Sequence, residues 1–160
     1  MVKKKRINKE QLFLLTSSAV CLSFMAFTTM LFPAVKLSYS SFVTEVSGLH
    51  AVFGGSVQNV QLAPTEYNFN FIVLIGYLLP IASLVLSILA FKKEGILLNY
   101  IAAILCFLST IIMFLEPTLF TVFNKVNSNY NVSILFGPVL GGVLAIISGA
   151  LNLGCVKIKS

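Results

Sequence analysis

Four apolar stretches, Leu12–Phe32, Phe71–Phe91, Gly95–Leu115 and Ile134–Val156, each run for 21 to 23 residues without one charged side chain. As helices rising about 1.5 Å per residue they measure about 31–35 Å, enough to cross a hydrocarbon core of about 30 Å. Backbone amides in lipid have no water to bond, so an isolated spanning segment of this length must be a helix. The expected fold class is all-α membrane: a four-helix transmembrane bundle with a small extracellular cap. The cap, made of short strands and a short helix, is expected between spans one and two. The spans use up the 160 residues as a single four-span domain, with outer segments at 33–70 and 116–133.

Charge sets the expected orientation. Lys3, Lys4, Lys5, Arg6 and Lys9 precede span one, Lys92 and Lys93 separate spans two and three, and Lys157 and Lys159 follow span four. These nine of eleven basic residues fall on one side of a four-span chain, leaving Lys36 and Lys125 on the other. That is the positive-inside pattern, which places both termini in the cytoplasm of a multi-pass plasma-membrane protein. The same distribution explains the net charge of +6 without nucleic acid, because no basic face interleaves with aromatics. The Lys3–Arg6 cluster also attracts anionic lipid, at about 1 kcal/mol per basic residue. The apolar run of span one is longer than a signal-peptide core of about 7–15 residues and lacks a small-x-small cleavage site, so it is expected to be retained.

Within the first outer segment, Val35, Leu37 and Tyr39 alternate with polar residues, a short strand pattern. Ser47 is placed to cap a helical turn through Phe53, which Gly54-Gly55 would stop. Val57–Leu62 is expected to form a second strand, and Pro64 to break the run before span two. This cap presents a candidate outer interaction surface of Leu49, His50, Phe53, Gly54 and Gly55. In the second outer segment Glu116-Pro117 marks a helix end. Leu119, Phe120, Val122 and Phe123 are expected near the lipid surface, before an asparagine-rich turn.

Small and hydroxyl residues mark helix contacts in lipid. Span one offers Thr16, Ala19, Ser23 and Ala26; span two Gly76, Pro80, Ser83, Ser87 and Ala90; span three Asn99, Ala102, Cys106 and Ser109. Their alternating spacing of threes and fours suits a left-handed bundle. Span four instead repeats Gly137, Gly141, Ala145 and Gly149 every four residues, the stripe of a close right-handed crossing, here expected inside the bundle. Pro80 lies mid-span and deprives the carbonyl of Gly76 of its helical donor, so a fixed bend is expected, its Gly76 oxygen bound by a neighbouring hydroxyl.

Chemistry is sparse. Asp and Trp are absent, and no phosphate loop or nucleophile motif occurs. His50, Glu45, Glu66 and Glu116 share one side of the membrane, yet their spacing matches no ligand motif, and they read as solvated surface charge. Catalytic, cofactor and metal residues are therefore expected to be none. The cysteines Cys21, Cys106 and Cys155 lie in or at the ends of spans and read as small buried hydrophobes, with Cys155 also placed for acylation.

The succession of a basic start, Leu31-Phe32-Pro33 closing span one, an alternating strand, the run Ser47-Gly48-Leu49-His50-Ala51-Val52-Phe53-Gly54-Gly55, a span, Lys92-Lys93 and another span resembles small uncharacterised four-span proteins of Gram-positive-type bacteria. The resemblance implies a bacterial plasma membrane and assigns no functional residue. The layout is also similar to claudin-like tetraspans in topology only, because that family's outer-segment tryptophan and paired cysteines are absent. The expected function is non-enzymatic: an accessory or scaffold subunit of a membrane assembly. The alternative is a homo-oligomeric channel or carrier for a small neutral or hydrophobic solute. The expected partners are the lipid bilayer and either another membrane protein or further copies of the chain.

Overall fold

The computed structural model describes residues 9–40, 42–57, 65–93, 95–126 and 129–159. Four long helices dominate it: α1 (Lys9–Thr28), α3 (Phe71–Lys93), α4 (Ile96–Phe114) and α6 (Phe136–Lys159). A 3-10 turn, Thr29–Leu31, extends α1, and all four helices are long and apolar enough to cross a membrane. They form a four-cornered bundle in which α1 packs on α3 and α6, and α4 packs on α3 and α6. The short link between α3 and α4 forces those two to run antiparallel as neighbours.

Each helix buries its small-residue face and turns its large aliphatic and aromatic residues outward. Thr16, Ala19, Ser23 and Ala26 of α1 are buried, as are Gly76, Pro80, Ser83, Ser87 and Ala90 of α3. Asn99, Ala102, Cys106 and Ser109 of α4 do the same. Leu14, Phe24, Val85, Leu97, Ile104 and Ile147 are among the many large apolar side chains left exposed on the bundle surface. Lipid tails solvate such groups as well as a core does, so backbone proximity, not apolar burial, holds the helices together.

The cap forms at the end of the bundle opposite the termini. Its three-stranded antiparallel sheet has the order β2-β1-β5, from β1 (Pro33–Tyr39), β2 (Phe42–Ser47) and β5 (Asn131–Ile134). Lys36 stands opposite Glu45 on β2 and Ser133 on β5. The short helix α2 (Gly48–Phe53) follows β2, and β3 (Gly55–Val57) pairs with β4 (Thr65–Tyr67) in a second small sheet. Finally α5 (Glu116–Asn124) lies between α4 and β5.

The cap stands between spans one and two as expected, and β5, from the segment between spans three and four, adds a third strand to its sheet. Two other expectations change. Ile134 and Leu135 do not open span four: Ile134 completes β5 and Leu135 donates its N–H to the Ala34 carbonyl at 2.8 Å, so α6 starts at Phe136. Glu116-Pro117 does not only end a helix. Proline at the first turn has no amide to lose, and the pair starts α5. Of the strand expected at Val57–Leu62, Val57 ends β3, while residues 58–64 lie outside the described residues, as do the Lys3–Arg6 cluster and Glu94.

Two core clusters couple cap and bundle. In the cap, Ala34, Val35, Leu37, Val46, Ala51, Tyr67 and Phe120 pack together, with the Tyr67 and Phe120 rings 5.1 Å apart. Phe120 is thus an interior residue of the cap, not one near the lipid surface. Its neighbours Val122 and Phe123 do remain exposed. Beneath, Met30, Val52, Val73, Tyr77 and Met113 join α2 to the ends of the long helices.

Candidate functional site

The bundle axis is filled by a ladder of hydroxyl, amide and thiol groups. Nearest the termini, Lys159 Nζ donates to Asn99 Oδ1 and to the Ala90 carbonyl, both at 2.8 Å. One level up, Asn152 Oδ1 accepts from Ser87 Oγ at 2.8 Å and from Asn99 Nδ2 at 3.2 Å. Next, Ser148 Oγ lies 2.8 Å from Ser23 Oγ and 2.9 Å from the Ala19 carbonyl, while Cys106 Sγ donates to Ser83 Oγ at 3.0 Å. Thr110 Oγ1 bonds the Gly142 carbonyl at 3.1 Å. Ser109 Oγ donates to the Gly76 carbonyl at 2.7 Å, the oxygen that Pro80 leaves without its helical partner. Helix α3 runs through Pro80 from Phe71 to Lys93.

These bonds cross the bundle as well as following its sides. Ser87–Asn152 joins the diagonal pair α3 and α6, and Ser23 Oγ comes within 3.9 Å of Cys106 Sγ on the diagonal α1 to α4. The expected glycine stripe of α6 lies inside this arrangement. A Cβ on Gly137 would fall 2.9 Å from the Pro33 carbonyl, one on Gly141 would collide with Thr29 Oγ1, and one on Gly149 would sit 3.2 Å from the Phe107 ring. Ala145 is buried with Ala26 and Cys106. Cys155 is buried beside Thr16, whereas Cys21 departs from the expected burial and faces outward.

At the cap end the ladder finishes in an acid. Glu116, first residue of α5 and beyond the end of span three, is fully buried, and its Oε2 accepts from the Tyr77 hydroxyl at 2.9 Å. This corrects the reading of Glu116 as a solvated charge. The chain passes straight from α4 into α5, so the first side chain of α5 turns inward against α3. Tyr77 also packs close to Gly48, where a Cβ would stand 3.0 Å from its hydroxyl and 2.7 Å from the Met30 carbonyl. Among the described residues Glu116 Oε1 has no hydrogen-bond partner. Burial pushes the Glu116 carboxyl up to about 8, against the opposing effect of the Tyr77 hydrogen bond. Asn70 is also fully buried; its Oδ1 caps α3 at the Val73 amide (3.2 Å), its own N–H donates to the Val52 carbonyl (2.7 Å), and its Nδ2 has no partner among the described residues.

The other candidate residues disperse. Glu45 is exposed on β2 opposite Lys36, and the Glu66 backbone lies in β4. His50 is exposed, with Nδ1 2.9 Å from Ser47 Oγ. Among the described residues no three His, Cys, Asp or Glu side chains gather as a metal site would require. Of the proposed outer surface, Phe53 is exposed and meets the Phe69 ring at 6.3 Å, but Leu49 turns inward against the Met30–Tyr77 cluster. Gly54 takes φ 76° as the cap of α2, with its amide on the His50 carbonyl at 3.0 Å, and Gly55 takes φ 132°. Both are glycine because the chain reverses there through conformations that other residues resist.

Fold and site together define a four-span integral membrane protein whose axis is bridged by hydrogen bonds and whose cap packs around a buried acid. No family model, no curated protein and no solved structure matches this chain.

Proposed function

We propose that this protein is a non-enzymatic accessory or scaffold subunit of a membrane assembly, seated in a plasma membrane with both termini cytoplasmic. The observation that supports this most is the bridged axis. Ser87–Asn152 and the Ser23–Cys106–Ser83 contacts occupy the centre of the bundle at successive levels. The polar groups a monomeric pore would offer to a solute are engaged with one another. Two clefts lie on the outer surface between neighbouring helices, one lined by Gln11, Leu15, Gly154 and Lys157 of α1 and α6, the other by Phe13, Val20, Cys21 and Ile88 of α1 and α3. A bundle whose centre holds no charged group among the described residues, with the Lys159 ammonium at the end of the ladder, and which carries an ordered cap, suits a part that holds or guides another membrane protein. Lipid, not nucleic acid, is its constant partner.

Native mass spectrometry of the tagged protein, drawn from its own membrane in mild detergent, tests the reading. A stoichiometric second protein supports it. A defined ring of identical subunits overturns it in favour of an oligomeric channel, with the path between copies, and a lone monomer also overturns it. Because Gly141 is enclosed by Thr29 and Met113, substitution there reports on the bundle itself and is no test of assembly.

A further inference from the structure

Glu116 is the point where the two cores meet. Tyr77, its hydrogen-bond partner, belongs to the cluster beneath the cap, and Phe120, one turn further along α5, belongs to the cap core. The two described buried polar atoms without partners are Glu116 Oε1, on this seam, and Asn70 Nδ2, just before α3, where Asn70 bonds Val52 and Val73 of the cluster that holds Tyr77. A buried carboxylate ordinarily has a cation or several donors. Among the described residues one neutral hydroxyl, that of Tyr77, is its partner.

We propose that Glu116 is a proton site that governs how tightly the cap sits on the bundle: the protonated acid allows α5 and the sheet to close over α3 and α4, and loss of the proton loosens them. Among the described residues, the elements packed on α5 set no countercharge against Glu116. Tyr77 faces Glu116 from α3. On β1, Lys36 lies on the sheet face opposite Val35 and Leu37, which pack with Phe120. β5 has no titratable side chain, α4 carries Tyr100 and Cys106 well below the seam, and on the α5 side Lys125 lies exposed beyond the far end of the helix. A carboxylate formed in this place can gain water only if the cap lifts. Burial in this place pushes the Glu116 carboxyl up to about 8.

The test is hydrogen exchange of the full chain in lipid nanodiscs, read by mass spectrometry against Glu116→Gln at each pH, so that intrinsic exchange cancels. In β1, α2 and α5 the ratio of wild-type to variant exchange is expected to rise by up to about tenfold per pH unit between about pH 5 and 8, then level off. Amides at the centre of α4 are expected to show no such rise. A flat ratio in the cap overturns the proposal, and so does an equal rise through all four spans, which would be a global effect. Tyr77→Phe, which removes the donor favouring the charged form, is expected to move the step to higher pH; an unmoved step overturns the pairing. Should Glu116→Gln fail to fold, infrared titration of the wild type decides: a protonated-carboxyl band persisting at pH 7 supports the proposal, and its absence at pH 7 overturns it.

Discussion

Tyr77 and Glu116 depend on each other for stability as well as for ionisation. Glu116 binds its proton more tightly in the folded protein than in the unfolded chain, so its contribution is full below about pH 4.5 and is lost as pH rises towards about 8. Thermal stability in detergent is therefore expected to fall across that window in the wild type and to fall less in Glu116→Gln. The pair was partly legible in the sequence. A tyrosine inside an apolar span needs a polar partner, and the acid just past span three comes to the same level once spans two and three are antiparallel. What hid it was Pro117, whose stop signal is also a start signal. The bond from Ser109 to the Gly76 carbonyl was more readable, because Pro80 fixes which oxygen is left bare and a neighbouring hydroxyl is the natural donor.

Among the elements, α6 is the most tightly constrained by glycine, and its glycines are not equivalent. A Cβ on Gly141 meets Thr29 and the Met113 sulfur, while one on Gly154 meets the tip of Leu15 at 3.4 Å, an ordinary contact. Gly141→Ala is expected to destabilise the bundle by about 1–3 kcal/mol through overpacking, and Gly154→Ala to be close to neutral. Thermal unfolding of the two variants in the same detergent checks this; equal melting points would refute it. The spans themselves were plain from hydropathy, since a charge-free run of more than twenty residues has few alternatives. The strands were not. In β5 the four residues Asn131–Ile134 are too few to show a period, and Ile134 reads equally well as the first residue of a span. Their strand character comes from β1, almost a hundred residues earlier in the chain.

For the whole molecule, the sheet joins the two halves of the bundle: β1 follows the first span, and β5 precedes the last. Ser38 and Asn131 stand opposite each other on these strands. Cβ atoms of opposed residues lie about 4.5–5.5 Å apart, near the reach of a disulfide. The double variant Ser38→Cys, Asn131→Cys is therefore expected to cross-link under mild oxidation, seen as a peptide linkage by mass spectrometry. Its absence would refute the pairing. Orientation is testable in the same way: His50→Cys, on the exposed surface of the cap, is expected to react with an impermeant thiol reagent in intact cells. Labelling only after permeabilisation would invert the topology.

The order of the strands also bears on biosynthesis. A chain made from its first residue onward delivers β1 and β2 early, but β5 only after the third span has been made. Until then one edge of β1 is without its partner, Ala34 has no Leu135 amide to bind, and Phe120 has yet to fill the space beside Tyr67. The cap cannot be finished before the third span has been made; completing it records that the segment after the third span has arrived on the same side of the membrane as the first.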